Sequence, residues 1–179
     1  MTDPRVLRNR EALRQALLHL LECKSFDEIT IRDIVAEAGI GYTTYFRHYP
    51  NKEALLGDMA IREVRQLHEM TLPVYRARDS RAACLAVCKY VDQHRSVWSA
   101  LLSGATEYVR MEMLRLGRED IAAPAVRARG WLPQDLGLVL SVAVMVELLG
   151  WWLRQPKPLP VPRIAQIMDR IGISPSHAP

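Results

Sequence analysis

Thr30-Ile-Arg-Asp-Ile-Val-Ala-Glu-Ala-Gly-Ile-Gly-Tyr-Thr-Thr-Tyr-Phe-Arg-His-Tyr-Pro-Asn-Lys52 is the stretch that decides the fold. Thr30 suits an N-cap, and Asp33 stands three residues on, the spacing of a capping box. Ile31, Ile34, Val35 and Ala38 recur on one face of a short helix. Gly39 follows the last of them, where a left-handed residue commonly closes a helix. A third short helix is predicted over 40–49 and closed by Pro50. Asn51 suits the cap of a fourth helix that begins at Lys52. Three helices with a tight glycine turn between the second and third make a helix-turn-helix.

The same reading extends outward. Residues 5–24 predict an amphipathic first helix with Leu13, Leu17, Leu20 and Leu21 on its inner face. The fourth helix is predicted to run to about Met70, with Pro73 just past its end. Helical periodicity then continues over 82–91, 97–102, 108–116, 121–129, 136–153 and 163–171. Four prolines in 155–162 forbid a helix there, and the tail from Gly172 is expected to be disordered. No segment alternates as a strand does. The expectation is an all-α protein of about nine helices. An N-terminal helix-turn-helix domain (1–52) is joined by the long fourth helix to a larger helical C-terminal domain (53–179).

Composition is that of an ordinary globular protein, with 49% hydrophobic and 25% charged residues. The pI of about 9.1 and formal charge of +4 permit nucleic-acid binding without establishing it. Basic groups gather at two places, Arg5, Arg8, Arg10 and Arg14, then Arg47 and Lys52. Three cysteines and no apolar leader point to reduced thiols and a cytoplasmic protein. The apolar run from Leu138 to Leu153 holds Glu147; it reads as too short and interrupted for a membrane span, so no membrane partner is expected. There is no Gly-rich phosphate loop, no Gly-x-Ser-x-Gly and no His-Glu-x-x-His, so no enzyme activity, cofactor or metal is expected.

In a helix-turn-helix the first residues of the third helix reach base edges while the second helix braces it. Here those residues are Gly41, Tyr42 and Thr43, and Gly41 lets backbone approach DNA closely. Thr44, Arg47, His48, Tyr49 and Lys52 follow without one acid, a mix of donors suited to phosphate. Lys52 also falls in the first turn of the fourth helix, whose N–H groups attract an anion. Tyr45 and Phe46 are expected to serve packing. A plain bundle with a glycine turn is the alternative reading, and a helical carrier or enzyme on this scaffold would show no salt-dependent DNA binding.

Residues 30–56 resemble the DNA-binding domain of TetR-family regulators. That resemblance implies an all-α homodimer on a palindromic double-stranded operator. It also implies a C-terminal domain in which a small effector, here apolar or amphipathic, releases a repressor from DNA. It assigns Thr44, His48 and Lys52 to phosphates, Tyr42 and Thr43 to bases, and Arg32 to a position that reaches DNA in some members. The chain departs from the family at Gly41, where a capping side chain is common, and at Tyr45-Phe46, which puts a ring without a hydroxyl at a phosphate-contacting position. The head is therefore expected to lean on Arg32, Arg47 and the N-terminal arginines.

Residues 75–179 resemble the family only in helix count and in the apolar helix from Leu136. By resemblance the last long helices form the dimer interface. Leu138, Val142, Met145, Leu149 and Trp152 make a continuous stripe suited to it. Glu147, buried in such a helix, would need a partner, either an effector or an arginine across the dimer. Cys88, His94, Trp98, Tyr108, Met111 and Glu147 are the candidate effector contacts, since Met and aromatic side chains line adaptable pockets. Cys84 and Cys88, one turn apart, offer a redox input as the alternative; a protein partner is another.

Overall fold

The computed structural model describes residues 4–77, 79–122 and 132–173. Among them every regular element is helical: α1 (Pro4–Cys23), α2 (Ile31–Ala38), α3 (Tyr42–His48), α4 (Lys52–Arg76), α5 (Ser80–Gln93), α6 (Arg95–Gly104), α7 (Thr106–Ala122), α8 (Gln134–Leu153) and α9 (Val161–Met168). The helix expected over 121–129 lies almost wholly outside the described residues.

Local chemistry sets the ends of the first helices. The Asp33 amide donates to Thr30 Oγ1 at 3.2 Å, and the Thr30 amide donates back to Asp33 Oδ2 at 2.8 Å, which completes the capping box. Lys24 also donates to that carboxylate, and the ammonium first, then Thr30, holds Asp33 down to about 2. Gly39 takes φ +64°, the left-handed C-cap that an L side chain adopts only with strain. Asn51 Oδ1 accepts from the Ala54 amide at 2.8 Å and starts α4.

Two expected ends are corrected. The fourth helix does not stop before Pro73; it carries that residue in its last turn and ends at Arg76. A proline so near the C-terminus costs one hydrogen bond only, to the carbonyl four residues back. Gly172 is not part of a free tail. It lies in a π-turn, Asp169–Ile173, and its carbonyl accepts from Ser141 Oγ on α8 at 2.7 Å.

One cluster of buried side chains runs from Leu13 of α1 to Met168 of α9, with Trp98 and Trp152 the largest. The end of α6 packs against α4 and the turn before α2. A Cβ on Gly104 would stand 2.9 Å from Leu56 of α4 and 3.4 Å from Phe26. α8 is long and apolar enough to cross a membrane by length and composition, contrary to expectation. Its Val142, Val146, Leu149 and Trp152 are nevertheless packed inside this cluster.

α4 is fastened to α7 by ions. Glu112 is buried and accepts from Arg65 Nε at 2.6 Å and from Arg115 Nε and Nη2 at 2.8 and 2.7 Å. The Arg115 guanidinium, aided by Arg65, holds the Glu112 carboxyl from its ordinary 4.5 down to about 2 against the opposing effect of burial. A carboxylate whose folded value is depressed adds stability above its unfolded value and loses it as pH falls through the folded one. The stability gap between the parent chain and Glu112→Gln, measured by urea unfolding, is expected to be full above about pH 5 and to close as pH falls from 4.5 towards 2.

Candidate nucleic-acid interface

α3 has one inner and one outer side. Tyr45 and Tyr49 point inward and are buried. The Tyr45 hydroxyl donates to the Asn51 carbonyl at 3.0 Å, and burial pushes its ionisation up to about 12. The Tyr49 hydroxyl donates to Asp58 Oδ2 at 2.6 Å and accepts from Arg10 Nε at 3.1 Å. On the outer side Tyr42, Thr43, Phe46 and Arg47 are exposed, while Thr44 and His48 are half-buried at its margin. At about 100° per residue these four exposed positions share one arc. Neither Arg47 nor the exposed Arg32 of α2 forms an ion pair among the described residues, and α3 carries no acid. Gly41 precedes the helix with no atom within 4 Å of its missing Cβ.

Several expectations change. Phe46, expected to pack, is 52% exposed, and its ring stacks on that of Tyr42 with centroids 6.4 Å apart and planes at 22°. Lys52 lies in the first turn of α4, but its ammonium donates to the carbonyls of Phe26, Asp27 and Ile29 at 2.9, 3.2 and 2.9 Å. It also stands 4.6 Å from the centre of the Phe26 ring. An ammonium has three donors, and all three are occupied, so Lys52 clamps the turn before α2 rather than offering itself to phosphate. Of the N-terminal arginines, Arg10 and Arg14 turn inward and donate to Asp58 at 3.3 and 2.9 Å. Nothing local in the sequence marks Asp58 as an acid that meets α1 and α3 across the fold.

The candidate effector residues do not gather in one place. Cys88 and Trp98 are sealed in the core, His94 is exposed beside Tyr90, and Tyr108, Met111 and Glu147 stand on the outer surface. Tyr108 covers Gly57 of α4, 2.9 Å from where a Cβ would stand. Glu147 is not buried: its side chain is 73% exposed and pairs with Arg110 of the same chain at 3.4 Å. The indole N–H of Trp98 is buried without a hydrogen-bond partner among the described residues. Burial pushes the thiols of Cys84 and Cys88 up to about 12, which suppresses the reactive thiolate a redox input requires.

The stripe expected at the dimer interface belongs largely to the chain's own core. Val142, Leu149 and Trp152 are buried, and Leu138 and Met145 are half-buried. The apolar face that α8 leaves open holds Leu136, Val139, Leu140 and Trp151 instead. Both sides of this helix are apolar, and what distinguishes them is the packing of α6, α7, α9 and the Asp169–Ile173 turn against it.

Residues 13–59 match the family described as bacterial regulatory proteins, tetR family. An uncharacterized HTH-type transcriptional regulator of Bacillus subtilis, YxbF, is 42% identical over 66 residues, which are 36% of this chain and 17% of that protein. The class D tetracycline repressor protein of Escherichia coli is 35% identical over 65 residues, 36% of this chain and 30% of the repressor. The chain thus spans under a third of the length of the curated relatives it matches. Likeness of fold extends much further. A TetR transcriptional regulator from Streptococcus agalactiae superposes with TM-score 0.61 at 21% identity, over 93% of this chain and 94% of that one. Thermus thermophilus FadR, a TetR-family repressor solved with lauroyl-CoA, gives 0.66 at 14% identity over 95% and 96%.

If Lys52 is a clamp, Lys52→Met should lower unfolding stability by about 1–3 kcal/mol, the cost of unpairing buried polar groups. It should leave the slope of log affinity against log salt unchanged, whereas loss of a phosphate contact would reduce that slope by about 0.9.

Proposed function

We propose that this chain, whose residues 13–59 match the tetR family of bacterial regulatory proteins, is a TetR-family transcriptional regulator that works as a homodimeric repressor and leaves its operator when a small apolar or amphipathic effector binds the body, residues 53–179. Residues 1–52 are the reading head and 53–179 the body that senses and dimerises. The observation that carries this reading is the outer side of α3, where Tyr42, Thr43 and Arg47 stand exposed, free of acids, behind the unobstructed backbone of Gly41. Tyr42 and Thr43 meet base edges in the major groove. Thr44, His48, Arg47 and Arg32 meet phosphates on either side. Lys52 acts indirectly, by holding the turn that carries α2.

Dimerisation is supported by the open face of α8. Leu136, Val139, Leu140 and Trp151 lie on one side of a helix whose other side is already in the core. Such a contiguous apolar surface favours burial against a second copy. A two-fold dimer sets two α3 helices on half-sites one DNA turn apart, roughly 34–36 Å, which makes the operator palindromic.

An effector in the body is supported by the orphan N–H of Trp98, which an acceptor atom would satisfy. Close by, the Tyr90 hydroxyl donates to Glu63 of α4 at 2.8 Å, so a ligand wedged there disturbs the helix that carries the head. An amphipathic acyl compound fits the precedent of the FadR complex. The regulator acts in the cytoplasm, where operator and effector meet.

A gel shift with the duplex flanking its own gene, over a salt series, tests the central claim. Affinity should fall steeply with salt, and Arg47→Ala should reduce the slope by about 0.9 for each half-site. Salt-insensitive or absent binding would refute the reading. Leu140→Asp, at an exposed position, should leave the monomer folded and shift the sedimentation coefficient from dimer to monomer.

A further inference from the structure

On the outer side of α3 one large side chain has no polar atom. Phe46 is 52% exposed, although every other Phe and Tyr ring within 26–49 except Tyr42 is buried. It stands one turn below Tyr42 on the same arc, with the two rings stacked. It is also held from behind: the buried ring of Tyr45 meets it edge-on, centroids 5.5 Å apart and planes at 81°. Tyr45 is itself pinned through its hydroxyl to the Asn51 carbonyl. The Phe46 ring is therefore presented in a set position with little rotamer freedom left to lose on contact.

Such a ring has few possible partners on DNA. It carries no donor for a phosphate. In the major groove adenine, guanine and cytosine offer hydrogen-bonding groups at the edge, and thymine alone adds an apolar one, its 5-methyl. Resting on the DNA-binding reading above, we propose that Phe46 is a specificity-determining residue that reads the methyl group of one thymine in each half-site. Tyr42, stacked over it, flanks the same contact and excludes water from it. The ring thus turns a position without a hydroxyl from a phosphate anchor into a base reader.

Deoxyuridine removes that methyl and keeps every hydrogen bond of the pair. Duplexes are first selected from a random library by the full-length protein, then remade with deoxyuridine at each thymine in turn. One thymine, equivalent in both half-sites, should prove sensitive. Its replacement should weaken the parent chain about fourfold per half-site, one methyl-sized burial at about 0.8 kcal/mol. Phe46→Ala should bind both duplexes alike, and Phe46→Leu should retain part of the discrimination. Matching melting temperatures for the variants would show that the exposed ring is not needed for folding. Equal affinity of the parent chain for all deoxyuridine duplexes overturns the proposal, as does discrimination that survives Phe46→Ala. If the parent chain enriches no duplex from the library, the DNA-binding reading itself falls and takes this one with it.

Discussion

The carboxylate of Asp58, two turns into α4, accepts from Arg10 and Arg14 of α1 and from Tyr49 at the end of α3. Three helices of the head are tied at one point, and the tie decides what the head can present. Arg14 also donates to Glu11, which takes a further bond from Arg62 of α4, so the charges form a network rather than a lone pair. Partial burial strengthens such bonds, and shared partners hold their geometry. Because Tyr49 belongs to the inner side of α3, fixing it fixes the rotation of that helix. Tyr42, Thr43, Phe46 and Arg47 then have no choice but to face outward.

The same tie redistributes the basic residues. Counted along the chain, the head has eight Lys and Arg against seven Asp and Glu over residues 1–52. Counted in space, Arg10 and Arg14 serve Asp58 and Glu11, Lys24 serves Asp33, and Lys52 serves carbonyls. Among the described residues of the head, Arg8 on α1, Arg32 on α2 and Arg47 on α3 form no ion pair, and the last two stand at the recognition helix and its brace. A weakly basic sequence thus becomes a surface whose positive charge lies beside the recognition helix, where long-range attraction to phosphate favours docking.

What was legible in the sequence is what local chemistry controls. Thr30 with Asp33, Gly39 in the left-handed region and Asn51 before α4 each act within four residues, so spacing alone places them. What was not legible depends on partners far along the chain. Lys52 looks like a phosphate ligand until the carbonyls of residues 26–29 come within 3.2 Å of it. Phe46 reads as core because it is a phenylalanine, but a helix of seven residues has room inside for two rings, and Tyr45 and Tyr49 take it. α8 is apolar on nearly every side, so periodicity has no contrast from which to choose the buried face. Glu147 marked the answer: a carboxylate 73% exposed belongs to the open side.

In the proposed function α4 transmits what the body senses, and its contacts divide its length into two parts. The first half belongs to the head through Lys52 and Asp58. The second half belongs to the body through Glu63 with Tyr90, Arg65 with Glu112, and His68 with Asp120 at 3.3 Å. Twenty-five residues of helix join the two without a glycine or proline between residues 58 and 72. An uninterrupted helix bends little, so a shift of its body end moves its head end as a lever does. Because Asp58 locks α1 and α3 to that lever, the head follows as one piece instead of deforming. On the proposed dimer, the spacing of two heads on DNA is then governed by the tilt of two helices, and α7, which grips α4 through Glu112, is the element against which that tilt is set.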